Sequence, residues 1–292
     1  MAESPPRREA MCIAARPPLW KRTLWRIFGE PDFTPSHAAV SNPARSFTLH
    51  YGVSSAAGPR HVENEDHCYA SYHNGIFLVA DGIGGRLGGA TASRIAASVI
   101  PFVLEHRRIA EPRCSLQQAV DDAIEQARER MLACAGANPR LGSMVATVAL
   151  AIVDAGELWF THAGDPRVYL LHQQELSQLT QDETLIQALL DGGVISADEA
   201  RTHPYRHVVL NAVGVQPPDQ MPVLDHVPLS TGDRILLASD GLTSVLSHDD
   251  IACELFWHEH PQRAANALLQ RAVRNRSHDD VSCIVVDVGV AA

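Results

Sequence analysis

Four aspartates stand at the ends of apolar runs short enough to be strands. Gly75-Ile-Phe-Leu-Val-Ala80 runs into Asp81-Gly82, and Arg234-Ile-Leu-Leu-Ala-Ser239 runs into Asp240-Gly241. Leu158-Trp-Phe-Thr-His-Ala163 leads to Gly164-Asp165, and His278-Asp279-Asp280 precedes Val281-Ser-Cys-Ile-Val-Val286. In an antiparallel sheet the C-terminal end of one strand lies beside the N-terminal end of its neighbour. Asp81, Asp240 and Asp279 can therefore meet at one edge of the core, with Asp165 close by. Carboxylates so gathered repel, and burial makes each charged form costly unless a cation is present. Oxygen ligands without His or Cys suit hard ions such as Mg²⁺ or Mn²⁺. A single Asp-Gly after a strand is most often a turn; four such places weaken that explanation. Glu65-Asp66 adds a further acidic pair. The glycines after Asp81 let backbone approach a ligand closely, and they equally suit a flexible loop entering a helix.

Short strands at Phe47–Ser54, Gly75–Ala80, Val145–Val153, Leu158–Ala163, Arg167–Leu171, Arg234–Ser239 and Val281–Val288 would position these acids. The links Asp154–Glu157 and Gly164–Pro166 are short enough for hairpins, hence antiparallel pairing. Helices come in pairs with no strand between. Ala90–Glu105, which Pro101 should kink or divide, is followed by Leu116–Ala135, capped by Ser115 with Gln118. Ser247 with Asp250 loosely caps Asp249–Trp257, and Pro261 opens a helix to about Val273. Ser196 with Glu199 caps a short helix mid-chain. Strands and helix pairs so grouped predict an α+β fold of antiparallel sheet covered by helices.

The 292 residues suffice for one large domain with a sizeable core, and the composition (46% apolar, 20% charged) is that of a globular chain. With 34 acidic against 24 basic residues the net charge is −10, which disfavours nucleic acid as a partner. No fully apolar run approaches the roughly 18 residues of a transmembrane segment. Residues 1–46 differ: they hold seven of the 18 prolines and carry +3, which leaves −13 on the remainder. The tail reads as largely disordered, although the basic, aromatic stretch Pro18–Phe28 would also suit a membrane surface or a protein partner. Six scattered cysteines with no C-x-x-C pair predict a reduced, cytoplasmic chain without a zinc site. Of the histidines, His203 and His207 are four apart with Pro204 between them, and His162 adds no ligand spacing.

These residues also match a family. Asn64-Glu-Asp66, Phe77-Leu-Val-Ala-Asp-Gly-Ile-Gly-Gly85 and Ala92-Ser93 resemble the opening of the metal-dependent protein serine/threonine phosphatases of type 2C. Gly142-Ser143, Ala163-Gly-Asp-Pro-Arg167, Leu179-Thr-Gln-Asp182, Leu236-Leu-Ala-Ser-Asp-Gly-Leu-Thr243 and Asp279-Asp-Val-Ser282 follow in the family's order. The resemblance covers about 47–290 and is nearest the compact bacterial members. It implies a four-layer α-β-β-α sandwich, the catalytic domain running from 47 to 292, with two Mn²⁺ or Mg²⁺ ions at one end of the sheets. Position by position, Asp81 would bridge both ions, the Gly82 carbonyl would help hold one, and Asp240 and Asp279 would hold the other. Glu65 and Asp66 would act through water, and Asp165 with Asp240 would bind a third, weaker ion. A water activated between the ions would attack phosphorus in line, with no covalent enzyme intermediate.

The resemblance further implies phosphoserine and phosphothreonine proteins as substrates, an opposing Ser/Thr kinase of eukaryotic-like type, and a mobile flap within about 183–233. A monomer is expected. Several positions depart from the pattern. Where an arginine usually holds the substrate phosphate stands His61, with Arg60 one residue earlier. Either Arg60 reaches the phosphate through a shifted loop, which is favoured, or His61 substitutes as a weaker, pH-dependent donor. Ile83, Met144, Pro166, Glu183 and Asp280 replace other common residues, but none of these changes removes a ligand. The alternative function is a noncatalytic module of the same fold that binds phosphoprotein.

Overall fold

The computed structural model describes residues 47–110, 114–214 and 222–290. The proline-rich stretch 1–46 and part of the 183–233 segment lie outside the described residues. Among the described residues, ten strands form two antiparallel sheets. The first has the order β1 (Phe47–Ala56), β10 (Val281–Val290), β9 (Arg234–Ala238), β6 (Arg167–His172) and β7 (Glu175–Gln178). The second has the order β2 (Asp66–Ser71), β3 (Ile76–Ile83), β4 (Val145–Asp154), β5 (Glu157–Ala163) and β8 (Asp225–Pro228).

Three apolar interfaces stack the layers. Between the sheets, Phe77, Val79, Ala149 and Ala151 meet Val168, Ile235, Leu237 and Ile284. Helices α1 (Gly85–Ala110) and α2 (Leu116–Ala137) cover the outer face of the second sheet through Ile100, Leu104, Val120 and Met131. Across the molecule, α6 (His248–Trp257) and α7 (Pro261–Arg274) cover the first sheet through Ile251, Leu255, Ala265 and Leu268. Shorter helices α3 (Leu185–Asp191), α4 (Ala197–Thr202) and α5 (Asp240–Thr243) lie between. The result is the expected α-β-β-α sandwich. Because β3 and β4 are buried on both faces, they read as continuous apolar runs rather than alternating ones. All three expected capping boxes form, at Ser115, Ser196 and Ser247.

The sequence pattern misleads in four places. Gly164–Pro166 is not a hairpin: β6 leaves the sheet of β5 and pairs with β9 and β7 instead. The reason is burial on both faces. Val168 and Leu170 enter the inter-sheet core while Tyr169 packs toward α6 and α7. Gly164, at φ +97°, makes the step, and a Cβ there would lie 2.4 Å from Thr147 Cγ2.

Pro101 does not divide α1. The buried face of Ile95, Ala96, Ile100, Val103 and Leu104 continues through it, so packing outweighs the lost hydrogen bond. The same helix starts at Gly85, within the glycine stretch that the sequence leaves open as a loop. By length and composition Leu87–Arg108 could cross a membrane, but 67% of that window is buried inside the fold, which makes it a core helix. Ser93, Arg94 and Ser98 interrupt its apolar run. Finally, β7 and β8 carry little apolar signal, and both are edge strands, where polar residues are tolerated.

Phe77 is fully buried in the inter-sheet core. Phe77→Ala should cost about 3–5 kcal/mol, read as a lower urea midpoint at unchanged m-value. A loss under about 1 kcal/mol would mean that the two sheets do not pack through this residue.

Candidate functional site

The acids converge because the register puts them there. β2 and β3 pair so that Asp66 stands directly opposite Asp81, an arrangement of like charges that a ladder disfavours. Gly82 N donates to Glu65 O at 3.1 Å, which carries the pairing one residue further. From the other sheet, β9 ends at Ala238, and Ser239 leads into α5, whose first residue is Asp240. β10 runs antiparallel to β9, so Asp279 and Asp280, immediately before β10, arrive at the same end. Asp165 follows the Gly164 step between the sheets. Asp81 lies within its strand rather than after it, and the acids come from two sheets rather than from one edge.

Ser239 joins the sheets. Its hydroxyl donates to Asp66 Oδ2 at 2.8 Å and accepts from Ser282 N at 3.0 Å. Asp66 is 4% exposed. Burial pushes its carboxyl up to about 7; the Ser239 and Ser282 hydroxyls oppose this, and the charges of Asp280 and Asp279 add to it. Burial also raises Asp81 well above the carboxylate range, helped by Asp66, Asp240, Asp279 and Asp165. Asp240 is raised as strongly, first by burial and then by Asp165, Asp279 and Asp66, while a hydrogen bond from Asp81 partly relieves it. Burial, then Asp182, brings Asp165 to about 6.

Asp66 Oδ1 and Asp240 Oδ1 are buried acceptors with no hydrogen-bond partner among the described residues. Two orphaned carboxyl oxygens are hard donors of the kind that fits a divalent cation. Among the described residues no three His, Cys, Asp or Glu side chains yet converge as a formed metal cage. Glu65 reaches the same end: a Cβ on Gly89 would lie 2.1 Å from Glu65 Oε2 and 2.5 Å from Gly82 O. Only a glycine lets the first turns of α1 close on both groups. Asp279 is half-exposed at the rim.

The loop between β1 and β2 carries the two candidates for binding phosphate. Arg60 is exposed and, among the described residues, makes no hydrogen bond or ion pair. His61 turns inward, its Nδ1 3.0 Å from Asp280 Oδ1 and 3.8 Å from Asp279 Oδ1. The contact is electrostatic, since Nδ1 is not aligned as a hydrogen-bond donor. The Asp280 carboxylate raises the imidazole above its usual range. His162 and His203 hydrogen-bond to neighbouring backbone, at Gln181 O and Tyr205 N.

Four residues of the site go unassigned in the sequence. Ser239 and Ser282 bridge the sheets, Asp280 anchors the 58–65 loop, and Glu183 holds the Asp165 turn. Glu183 Oε2 accepts from Gly164 N at 2.9 Å, and Glu183 N donates to Gly164 O at 2.8 Å. The Asp279-Asp280 doublet was the available signal: two adjacent acids before a strand point to opposite sides of the chain, and only one can face the cluster.

The family model described as protein phosphatase 2C matches residues 58–276. The chain is similar to the serine/threonine protein phosphatase PstP of Mycobacterium tuberculosis, 32% identical over 243 residues, or 83% of this chain. It spans 46% of that protein's length. It is 27% identical over 212 residues to the serine/threonine phosphatase stp of Listeria welshimeri, covering 73% of this chain and 84% of the relative. Among solved structures, the PstP catalytic domain in complex with two manganese ions superposes with a TM-score of 0.72 at 31% identity, covering 83% of this chain and 99% of that one.

The raised carboxyls set a measurable pH dependence. Asp66, near 7, and Asp165, near 6, are both above the unfolded value of about 4. Between those limits the folded protein holds protons that the unfolded chain has released, and a cation must displace them. Mn²⁺ should therefore raise Tm more at pH 7.5 than at pH 5, and Asp81→Asn with Asp240→Asn should abolish the increment. An equal Mn²⁺ shift in that double variant would place the ion elsewhere.

Proposed function

Since the chain belongs to the protein phosphatase 2C family, we propose that it hydrolyses phosphoserine and phosphothreonine on proteins, using Mn²⁺ or Mg²⁺. The observation that carries this reading is the cluster itself. Carboxylates from both sheets are buried together, raise one another's pKa and leave Asp66 Oδ1 and Asp240 Oδ1 without partners. A fold keeps so costly an arrangement where a cation repays it. PstP, similar over 83% of this chain, is a serine/threonine protein phosphatase, and its catalytic domain is known with two manganese ions.

In this reading Asp81, Asp240 and Asp279, with the Gly82 carbonyl, hold two divalent ions. Glu65 and Asp66 act on them through water, and Asp165 with Asp240 takes a third, weaker ion. The bound ions supply neutralising charge for the phosphoryl oxygens and acidify the attacking water. The protein's own part is orientation. The β2–β3 register sets Asp66 against Asp81, and Ser239 fixes Asp66 in turn. Arg60, exposed and without a partner among the described residues, is the cation free to meet the substrate phosphate, whereas His61 faces Asp280. Ile83 carries no transferable proton, so solvent protonates the departing serine or threonine oxygen. The physiological role is opposition to a bacterial Ser/Thr kinase in the cytoplasm.

The decisive experiment measures hydrolysis of an aryl phosphate and of a phosphothreonine peptide with Mn²⁺, with chelator, and in Asp81→Ala and Asp240→Ala. Turnover should require the metal and fall at least about 100-fold in each folded variant, beyond the usual effect of residues that only support a ligand. Phosphopeptide binding without turnover would instead mark a noncatalytic module.

A further inference from the structure

Asp280 occupies a place in the loop that precedes the cluster, and its chemistry there differs from that of its neighbour Asp279. It is 2% exposed. A buried carboxylate is tolerated only when its oxygens are satisfied. Asp280 Oδ1 accepts from Gly58 N at 2.6 Å, and Oδ2 accepts from Glu65 N at 2.5 Å. One side chain thus clasps both ends of the 58–65 loop. The first turn of the loop lies against the same stretch of chain: a Cβ on Gly58 would sit 2.5 Å from the Asp279 carbonyl carbon. His61 N closes that turn onto Gly58 O at 3.1 Å, which directs the imidazole toward Asp280 Oδ1. Arg60, between these anchors, is left exposed.

The two residues that the loop turns inward or receives, His61 and Asp280, are both departures from the family pattern, and they lie 3.0 Å apart. Asparagine at 280 would offer a single acceptor oxygen, and its amide would face a backbone N–H. Aspartate alone meets both amides. With a neutral asparagine there would also be no charge to draw in a histidine.

We propose that Asp280, paired with His61, is a positioning residue that shapes the 58–65 loop so that Arg60 rather than residue 61 meets the substrate phosphate. The proposal rests on the phosphatase reading for the nature of the substrate. The pair touches no reacting atom; it acts through Arg60 and through the entry of Glu65 and Asp66 into β2.

The test compares the Mn²⁺-loaded full chain with Asp280→Asn, His61→Ala, Arg60→Ala and the doubles of each with Arg60→Ala, on an aryl phosphate. Inorganic phosphate binding by calorimetry and Tm are measured alongside. Asp280→Asn, close in shape to the native residue, should raise KM about tenfold with kcat changed less than about threefold, the size expected for lost charged hydrogen bonds. His61→Ala should raise KM less. Arg60→Ala should raise KM most, and Asp280→Asn should then add nothing further, because positioning has no residue left to act through. Weaker phosphate binding should parallel KM.

An unchanged KM in Asp280→Asn would overturn the proposal, as would full multiplication of its effect in the Arg60→Ala background. A residue that merely supports the fold would lower Tm and the active fraction, hence kcat, and leave KM alone. If the wild-type chain has no metal-dependent turnover, the phosphatase reading fails by itself. The phosphate-binding arm then decides the positioning claim: equal affinity in Asp280→Asn and wild type would sink it.

Discussion

Repulsion between buried carboxylates is the constraint around which this molecule is organised. Asp66 and Asp81 face each other across a β-ladder, and Asp240 and Asp279 come in from the second sheet. Burial raises the proton affinity of Asp66, Asp81 and Asp240, and neighbouring carboxylates raise it further. No local preference of the chain would assemble such a cluster. It is held by everything behind it: three apolar interfaces in series, which fix two sheets face to face and leave the acids at one end. Local rules are violated where chemistry is done, and the surrounding packing makes the violation tolerable.

The joint between the sheets carries the precision. Packing of apolar side chains sets the spacing of two layers, but it is nondirectional and does not fix their register to a fraction of an ångström. Hydrogen bonds do. Ser239 hydrogen-bonds with Ser282 within the first sheet and donates to Asp66 of the second, so one hydroxyl ties the ladder of β9 and β10 to the start of β2. Gly164 makes the covalent counterpart, passing the chain between sheets beside Thr147, whose hydroxyl reaches the Asp81 carbonyl at 3.4 Å. These contacts act on neighbouring groups in the same small volume, so they work as one network.

The central strands were legible in the sequence because burial on both faces leaves an unbroken apolar run, as in Ile76–Ala80 and Arg234–Ala238. Of the edge strands β1 was legible, but β7 and β8 were not, because they need bury little and so carry polar residues. Which sheet a strand joins was illegible too. The three-residue link before β6 suits a hairpin as well as a crossing, and only the opposite burial of Val168 and Tyr169 decides between them. The acids were legible as a set because strand ends impose a location whatever the topology. The groups that orient them were not: a serine before an aspartate has no pattern that separates a bridge from an ordinary surface residue, and an acidic doublet says only that its two members face opposite ways.

Departures from a family pattern gain meaning in contact with one another. Read singly, Glu183 in place of histidine and Asp280 in place of asparagine suggest erosion of a site. In the folded chain each acid has a backbone donor waiting for it. Glu183 grips Gly164 by side chain and main chain together, and so fixes the turn that carries Asp165. Asp280 takes Gly58 N and Glu65 N at the two ends of its loop. Both exchanges bring extra negative charge close to a cluster that already repels itself, which is tolerable only because each carboxylate is neutralised locally by N–H dipoles aimed at it. Each substitution thus sits in a locally satisfied contact at the entrance to the acidic cluster.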